Sequence, residues 1–370
     1  MNRKIDDNVY YNNIYWGSFD LVSKHINKTI SDDENKVWYL DFYNYSKKRT
    51  FKKALILNCG NGRVEREILS QIPLFEECVG IDISKKFIKK CKEEAKKNNL
   101  NFRYYQMDIN KSELPEDSFD LVINHAALHH ISHLKKVLLG IYSKMTKDSF
   151  FVNYDYVGPH RNQYPYKDYS TFWQTNKSLP TRYQKKLSYA HLPTMLATDY
   201  SEAIHSELIL TEMANFFNFK KHKKFGGTIA YNLLYDNINL LKDQHTRAGN
   251  KAIKQIIDED VRFTSETGIS YFDYFVCTKK HSINQNAVKK GVKLEIEREN
   301  IAKKNGGIYY ENTLLQDVFL RLSDLEYELK VRKQIEKFSI AATLIFFVKK
   351  LLPKPLKSFL KNILKYLRLR

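Results

Sequence analysis

The apolar run Ala54 to Asn58 is followed by Asn58-Cys59-Gly60-Asn61-Gly62-Arg63, which opens directly into a helical pattern. Two glycines at such a strand-to-helix turn let the backbone approach a ligand closely, and the helix start offers N–H groups to a negative group. Asp82 stands twenty residues after Gly62, at the end of a second apolar run, where a carboxylate can take the two hydroxyls of a ribose. Asp108 follows a third run, where a carboxylate can accept from an adenine amino group.

A second group of candidates follows the fourth and fifth apolar runs. Phe119 to Asn124 leads into His125-Ala126-Ala127-Leu128-His129-His130, and open α/β sheets place their ligands at such strand ends. His125, His129 and His133 recur in steps of four, a metal pattern only if the stretch is one continuous helix with a supporting carboxylate. After the fifth run come Asn153-Tyr154-Asp155-Tyr156 and His160-Arg161-Asn162-Gln163, dense in polar groups and suited to an acceptor pocket. Arg161 and Gln163 read equally well as ligand contacts and as ordinary loop polarity.

These residues need elements to position them. Strands are predicted at Ala54 to Asn58, Cys78 to Asp82, Phe102 to Met107, Phe119 to Asn124 and Ser149 to Tyr154, with helices at Arg63 to Ile72, Lys85 to Asn98 and Leu134 to Met145. This alternation means βαβ units and a parallel sheet covered on both faces. Gly158 to Thr198 breaks the rhythm and is read as an inserted cap. A helix is then predicted over Ser201 to Phe217, a strand over Asn218 to Phe225, a helix over Thr228 to Leu241, and a strand over Ser270 to Thr278.

In order and spacing the motifs resemble the class I S-adenosylmethionine-dependent methyltransferases, over about Phe51 to Tyr156. The resemblance implies an α/β, doubly wound, mostly parallel seven-stranded sheet in which SYFDYFVCT is an antiparallel edge strand. It implies S-adenosylmethionine as cofactor, held by Asn58, Gly60, Gly62, Asp82, Ile83, Asp108, Ile109 and Asn124. Asn124 is expected near the methionine moiety and His129 near the transferred methyl. The family usually carries an acid where this chain has Asn58, so an amide replaces charge with hydrogen bonding. A dinucleotide fingerprint wants a third glycine at position 65, and Glu65 there repels a pyrophosphate. The run Asp155-Tyr156-Val157-Gly158-Pro159 and Asp199 to Leu210 are similar to bacterial methyltransferases associated with surface-glycan loci. That similarity implies O-methylation of a saccharide or lipid-linked glycan. A sugar hydroxyl wants a general base titrating near about 6 to 7, for which His129, His160 and Asp155 are the catalytic candidates, with no metal expected. An RNA methyltransferase and a non-catalytic cofactor-binding scaffold are the alternatives.

Composition bounds the rest. The 370 residues contain 43% apolar residues and 14% aromatics, which excludes a disordered or collagen-like chain. Lys and Arg number 61 against 42 acids, a net charge of +19 that attracts polyanions. The division expected is an N-terminal helical segment over 1–50, a methyltransferase domain over 51–280 with its cap at about 158–198, a charged helical extension over 281–337 and a basic tail over 338–370. From Phe338 onward six Lys and two Arg meet no acid, and Leu356, Phe359, Leu360, Ile363, Leu364 and Leu367 share one helix face. A basic amphipathic helix suits an anionic membrane surface; nucleic acid is not expected there. Leu315, Val318, Leu322, Leu325 and Leu329 form a short seam through which a homo-oligomer can form. Four scattered cysteines without a zinc pattern, and no apolar core in Met1 to Trp16, lead to the expectation of a cytoplasmic protein, peripheral on the inner face of the membrane.

Overall fold

The computed structural model describes residues 14–187, 190 and 192–304, which fall in one compact unit, Met1–Tyr310. The 315–329 seam and the 338–370 tail lie outside the described residues, as do residues 1–13. Seven strands form one sheet: β1 Phe51–Leu57, β2 Phe75–Asp82, β3 Phe102–Gln106, β4 Phe119–His125, β5 Met145–Tyr156, β6 Phe217–Lys224 and β7 Phe272–Lys279. Their order is β3-β2-β1-β4-β5-β7-β6. The first five strands in this order pair in parallel, and β7 runs antiparallel to both β5 and β6.

Apolar side chains on both faces of the central strands account for this arrangement. Ala54 and Ile56 of β1 join Leu121 and Ile123 of β4 in one core, while Leu55 and Leu57 join Phe119 and Val122 in the other. Each fully buried Leu, Ile, Val or Phe contributes roughly 1.5 to 3 kcal/mol. In chain order the helices are α1 Asp20–Ser31, α2 Trp38–Tyr45, α3 Arg63–Gln71, α4 Lys85–Lys97, α5 Leu134–Lys144 and α6 Tyr166–Ser178. They continue as α7 Leu192–Thr198, α8 Ile209–Phe216, α9 Ala230–Leu234, α10 Ile238–Asp243, α11 Arg247–Thr267 and α12 Gln285–Lys304. Helices α1 to α4, α9 and α11 supply the first core, and α5, α8 and α12 the second. The cap contains α6 and α7.

Four features differ from expectation. Strand β7 is not the edge: all of its first six residues are buried, and it lies between β5 and β6. The edge on this side is β6, whose burial alternates and whose sequence FNFKKHKK carries the lysines that discourage further pairing. The helix predicted from Ser201 begins only at Ile209, after a turn that spans 199–205 and a short 3-10 helix. The helix predicted over Thr228 to Leu241 is two helices, because Asp236 takes φ 53° and Asn237 starts a new one by accepting the Leu240 N–H. Helix α11 was not foreseen, although Thr246 caps its Gly249 N–H and Gly268 closes it at φ 70°. Its apolar face, with Ala252, Ile253, Ile256, Ile257 and Phe263, is interrupted by buried Asp260, which accepts from the N–H groups of Gly227, Ile229 and Ala230.

Candidate functional site

The chain crosses from β3 at one side of the sheet back to β4, so the carboxyl ends of β1 and β4 flank a topological switch point, the place where open α/β sheets bind ligands. Gly60 and Gly62 take φ 54° and 73° in the turn after β1, and α3 starts at the next residue. A side chain at Gly62 would also come within 2.9 Å of Cys91 Sγ on α4, so only glycine lets the turn sit against that helix. Asp82 ends β2 with one carboxylate oxygen accepting from Gly60 N at 2.9 Å and the other from Ser84 N at 2.8 Å. Ser84 in turn caps α4 by accepting the Phe87 N–H. One carboxylate therefore fixes the glycine turn and the start of α4 while lying at the strand end. Beside it, Ile83 is 48% exposed, an apolar side chain held outside the core.

Other residues on this side have protein partners. Asn58, at φ 41°, donates its amide N–H to the Ala127 carbonyl at 3.3 Å. A carboxylate at that position would set oxygen against oxygen, which explains the amide. Asp108 accepts from Asn110 N and pairs with Lys111 at 2.7 Å. Ile109 is buried in the second core. Glu65 is fully buried and accepts from the Tyr104 hydroxyl at 2.8 Å, with burial pushing its carboxyl up, so it points beneath the turn and away from a ligand.

On the other side of the switch point, Asp155 organises the end of β4. It is 1% exposed and accepts from five donors: His129 Nδ1 at 2.5 Å, Tyr156 N at 2.7 Å, Asn124 Nδ2 at 2.7 Å, Leu128 N at 2.8 Å and Ala127 N at 3.2 Å. Asn124 is fully buried and also reaches Asn153 Oδ1 and the Leu128 N–H. The chain bends at Ala126, φ 54°, into the 3-10 helix Leu128–His130. This bend removes the continuous helix that a His125, His129, His133 metal site requires. Burial by itself lowers the basicity of the His129 imidazole, but the Asp155 charge and hydrogen bond outweigh it and lift the pKa to about 9.

Facing this pair is the turn 199–205. Arg161, at φ 55° and fully buried, donates to the carbonyls of Tyr200 and Glu202, and its N–H donates to the Ala203 carbonyl at 2.7 Å. With those carbonyls engaged, the segment does not form the helix expected from Ser201. Gln163 donates to the carbonyls of Arg161 and Ala190, so both residues stitch the loop and cap together. Ile204 N donates to the His129 carbonyl, which ties this turn to the 3-10 helix. Around the site lie stacked rings: Trp38 on His125, His125 on Tyr154, and Tyr154 on Phe225 at 4.8 Å. At the opposite end of the sheet, an open groove of about 690 Å³ lined by Arg49, Lys147, Lys220, Lys279 and Lys280 holds none of the candidate residues.

The structure therefore joins His129 to Asp155, while His160 stacks on His205 at 5.3 Å. Burial first, then His205 and Arg161, push the His160 imidazole from 6.5 down to about 3. With His129 lifted and His160 depressed, neither titrates near 6 to 7 as expected from sequence. Glu202, Asp199 and Ser201 were missed as members of the site, because nothing periodic marks a turn whose shape Arg161 dictates.

The His160 shift has a consequence for stability. The unfolded imidazole takes up a proton below about 6.5, whereas the folded one stays neutral until about 3, so the unfolded state binds more protons in between. Stability is therefore expected to fall as pH drops from 6.5 toward 3, by about 2 kcal/mol at pH 5 from this residue. Urea unfolding at pH 7.5 and 5 should show a smaller difference in His160→Asn than in the wild type. Equal differences would mean that His160 is not buried as a neutral ring.

The methyltransferase-domain family profile matches residues 52–237. The chain is 26% identical over 112 residues to an uncharacterized methyltransferase, YcgJ, of Bacillus subtilis, an overlap of 30% of this chain and 43% of that protein. It is 29% identical over 94 residues to a malonyl-[acyl-carrier protein] O-methyltransferase of a Paenibacillus species, covering 25% of this chain and 34% of the relative. The matches thus span less than half the length of these curated relatives. The solved structure of the Bacillus subtilis YcgJ protein aligns with 65% of this chain and 97% of its own, at 17% identity and a TM-score of 0.35.

Proposed function

The chain belongs to the methyltransferase-domain family, and from that membership and the site geometry we propose that it transfers the methyl group of S-adenosylmethionine to an oxygen of a saccharide or lipid-linked glycan. The observation that carries this reading is the adjacency in one sheet of two differently built strand ends. Asp82 and the glycine turn stand at the ends of β2 and β1, and the His129 and Asp155 pair at the ends of β4 and β5.

The cofactor fits the first side. Asp82 is a carboxylate at the place where ribose hydroxyls need an acceptor, its Gly60 contact keeps the turn close, and exposed Ile83 offers an apolar surface to a base. S-adenosylmethionine supplies a methyl on a sulfonium. The protein must hold the acceptor oxygen about 3 Å from that methyl and in line with it. A saccharide acceptor is drawn from the resemblance of Asp155 to Pro159 and of Asp199 to Leu210 to methyltransferases of surface-glycan loci. A hydroxyl also needs help to lose its proton, and His129, held as an imidazolium by Asp155 up to about 9, can accept one only after losing its own, so transfer to a hydroxyl is expected to rise as pH approaches 9.

We place the reaction at an anionic membrane surface on the strength of the sequence from Phe338 to Arg370, with its surplus of +8 and its apolar stripe. No helix among the described residues is long and apolar enough to cross a membrane. The test is transfer of tritiated methyl from the cofactor to membrane-extracted glycan precursors by the full chain. Deletion of 338–370 is expected to reduce binding to anionic vesicles while leaving transfer to a soluble acceptor intact. Label found in RNA, or in no fraction, would overturn the assignment, and unchanged vesicle binding would overturn the membrane placement.

A further inference from the structure

We propose that His129, His130 and Glu202 form a binding site for one divalent first-row transition metal ion, such as Zn²⁺ or Mn²⁺, beside the acceptor oxygen. The proposal rests on the methyl-transfer reading above for its role, but on geometry alone for the site. One ring nitrogen of each histidine and one carboxylate oxygen of Glu202 lie within 4.8 Å of one another. His130 Nε2 stands 3.9 Å from Glu202 Oε2. An ion bound at about 2.1 Å from nitrogen and oxygen ligands keeps them roughly 3 to 3.5 Å apart, so the side chains need to close by about an ångström.

The support behind the ligands is that of a metal site. His129 donates its Nδ1–H to Asp155 at 2.5 Å, which fixes the ring and leaves Nε2 for the cluster, where an incoming ion displaces the proton it carries. His130 Nδ1 lies 3.2 Å from Ser201 Oγ, and Ser201 donates to Asp199 Oδ1 at 2.7 Å. Because that hydroxyl spends its proton on Asp199, it accepts from His130 Nδ1, and Nε2 carries the lone pair. Each imidazole is thus backed by a carboxylate, directly or through one hydroxyl, the arrangement that orients metal-ligating histidines and raises their basicity. Charge points the same way, since Asp155, Asp199 and Glu202 all act on both imidazoles and favour a cation between them. The turn that carries Glu202 is itself held, by Arg161 at its carbonyls and by the Ile204 N–H on the His129 carbonyl.

Two imidazoles and one carboxylate leave coordination positions open, as catalytic rather than structural sites do. An acceptor hydroxyl in such a position gives its proton to solvent more readily. Its oxygen then forms the new bond to the methyl carbon as the carbon–sulfur bond breaks, and that electron pair remains on sulfur as a neutral thioether. A second cluster, His160, His205 and Glu207, is less suited to a cation, because the Arg161 charge falls on both rings.

The experiment titrates Zn²⁺, and separately Co²⁺, into chelator-treated full-length protein, with calorimetry for stoichiometry and the visible absorption of Co²⁺ for its nitrogen ligands. One equivalent is expected in the wild type, with affinity reduced about 100-fold or more in His130→Ala and in Glu202→Gln. Ser201→Ala, which removes the hydroxyl between His130 and Asp199 but no ligand, is expected to weaken binding about 10-fold. S-adenosylhomocysteine binding, measured on the same samples, should stay unchanged and shows that each variant is folded. Absence of stoichiometric binding, or binding that survives both ligand substitutions, overturns the metal site and leaves the methyltransferase reading standing. Loss of S-adenosylhomocysteine binding in the wild type overturns that reading instead.

Discussion

Asp155→Asn is expected to destabilise the fold by about 3 to 5 kcal/mol and to reduce methyl transfer by about 100-fold or more. The size follows from the number of donors that converge on this one buried carboxylate. Oδ2 receives Asn124 Nδ2 and the N–H groups of Ala127 and Leu128, while Oδ1 receives His129 Nδ1 and Tyr156 N. An amide has one oxygen, so whichever way it turns, its NH₂ faces two or three other donors in a place from which water is excluded. The bend at Ala126 and the orientation of His129 then lose their common anchor. An error of about 1 Å in the placement of reacting groups is enough for a loss of that order. Urea unfolding together with single-turnover transfer provides the check. Stability like that of the wild type would show that the five contacts are not a working unit.

Asp82→Ala should weaken binding of S-adenosylhomocysteine by about 1 to 3 kcal/mol, or about 5- to 150-fold in Kd. Two losses combine. The ribose hydroxyls lose their acceptor, and the Gly60 and Ser84 N–H groups lose the carboxylate that holds the glycine turn against the start of α4. Ser84→Ala separates the two, since it removes only the α4 cap, at about 1 kcal/mol of stability, and is expected to keep most of the affinity. Calorimetry on the three proteins decides the point. Unchanged affinity in Asp82→Ala would move the cofactor away from the end of β2.

By itself the sequence determined the class of the fold and the glycine turn that meets Asp82, for a local reason. Strands buried on both faces must be apolar throughout, helices between them must carry a stripe, and a glycine turn with an acid twenty residues on is one βαβ unit written out along the chain. Those features lie within one or two elements, so Gly60, Gly62 and Asp82 were legible together. The cluster around His129 and Asp155 was decided only by tertiary structure, because its partners come from separate elements. Parallel pairing of β4 with β5 puts Asp155 under His129, although 26 positions separate them. Buried Arg161 captures carbonyls from the turn after the cap, and this is what turns a stretch of helix-like composition into the loop that offers Glu202. Likewise, the amide of Asn58 makes sense only once the Ala127 carbonyl is opposite it, and β7 lies inside the sheet only because β6 covers its other side. Periodicity in a chain records which faces are buried; which side chains meet across those faces depends on crossovers, and on backbone groups claimed by residues far away in sequence.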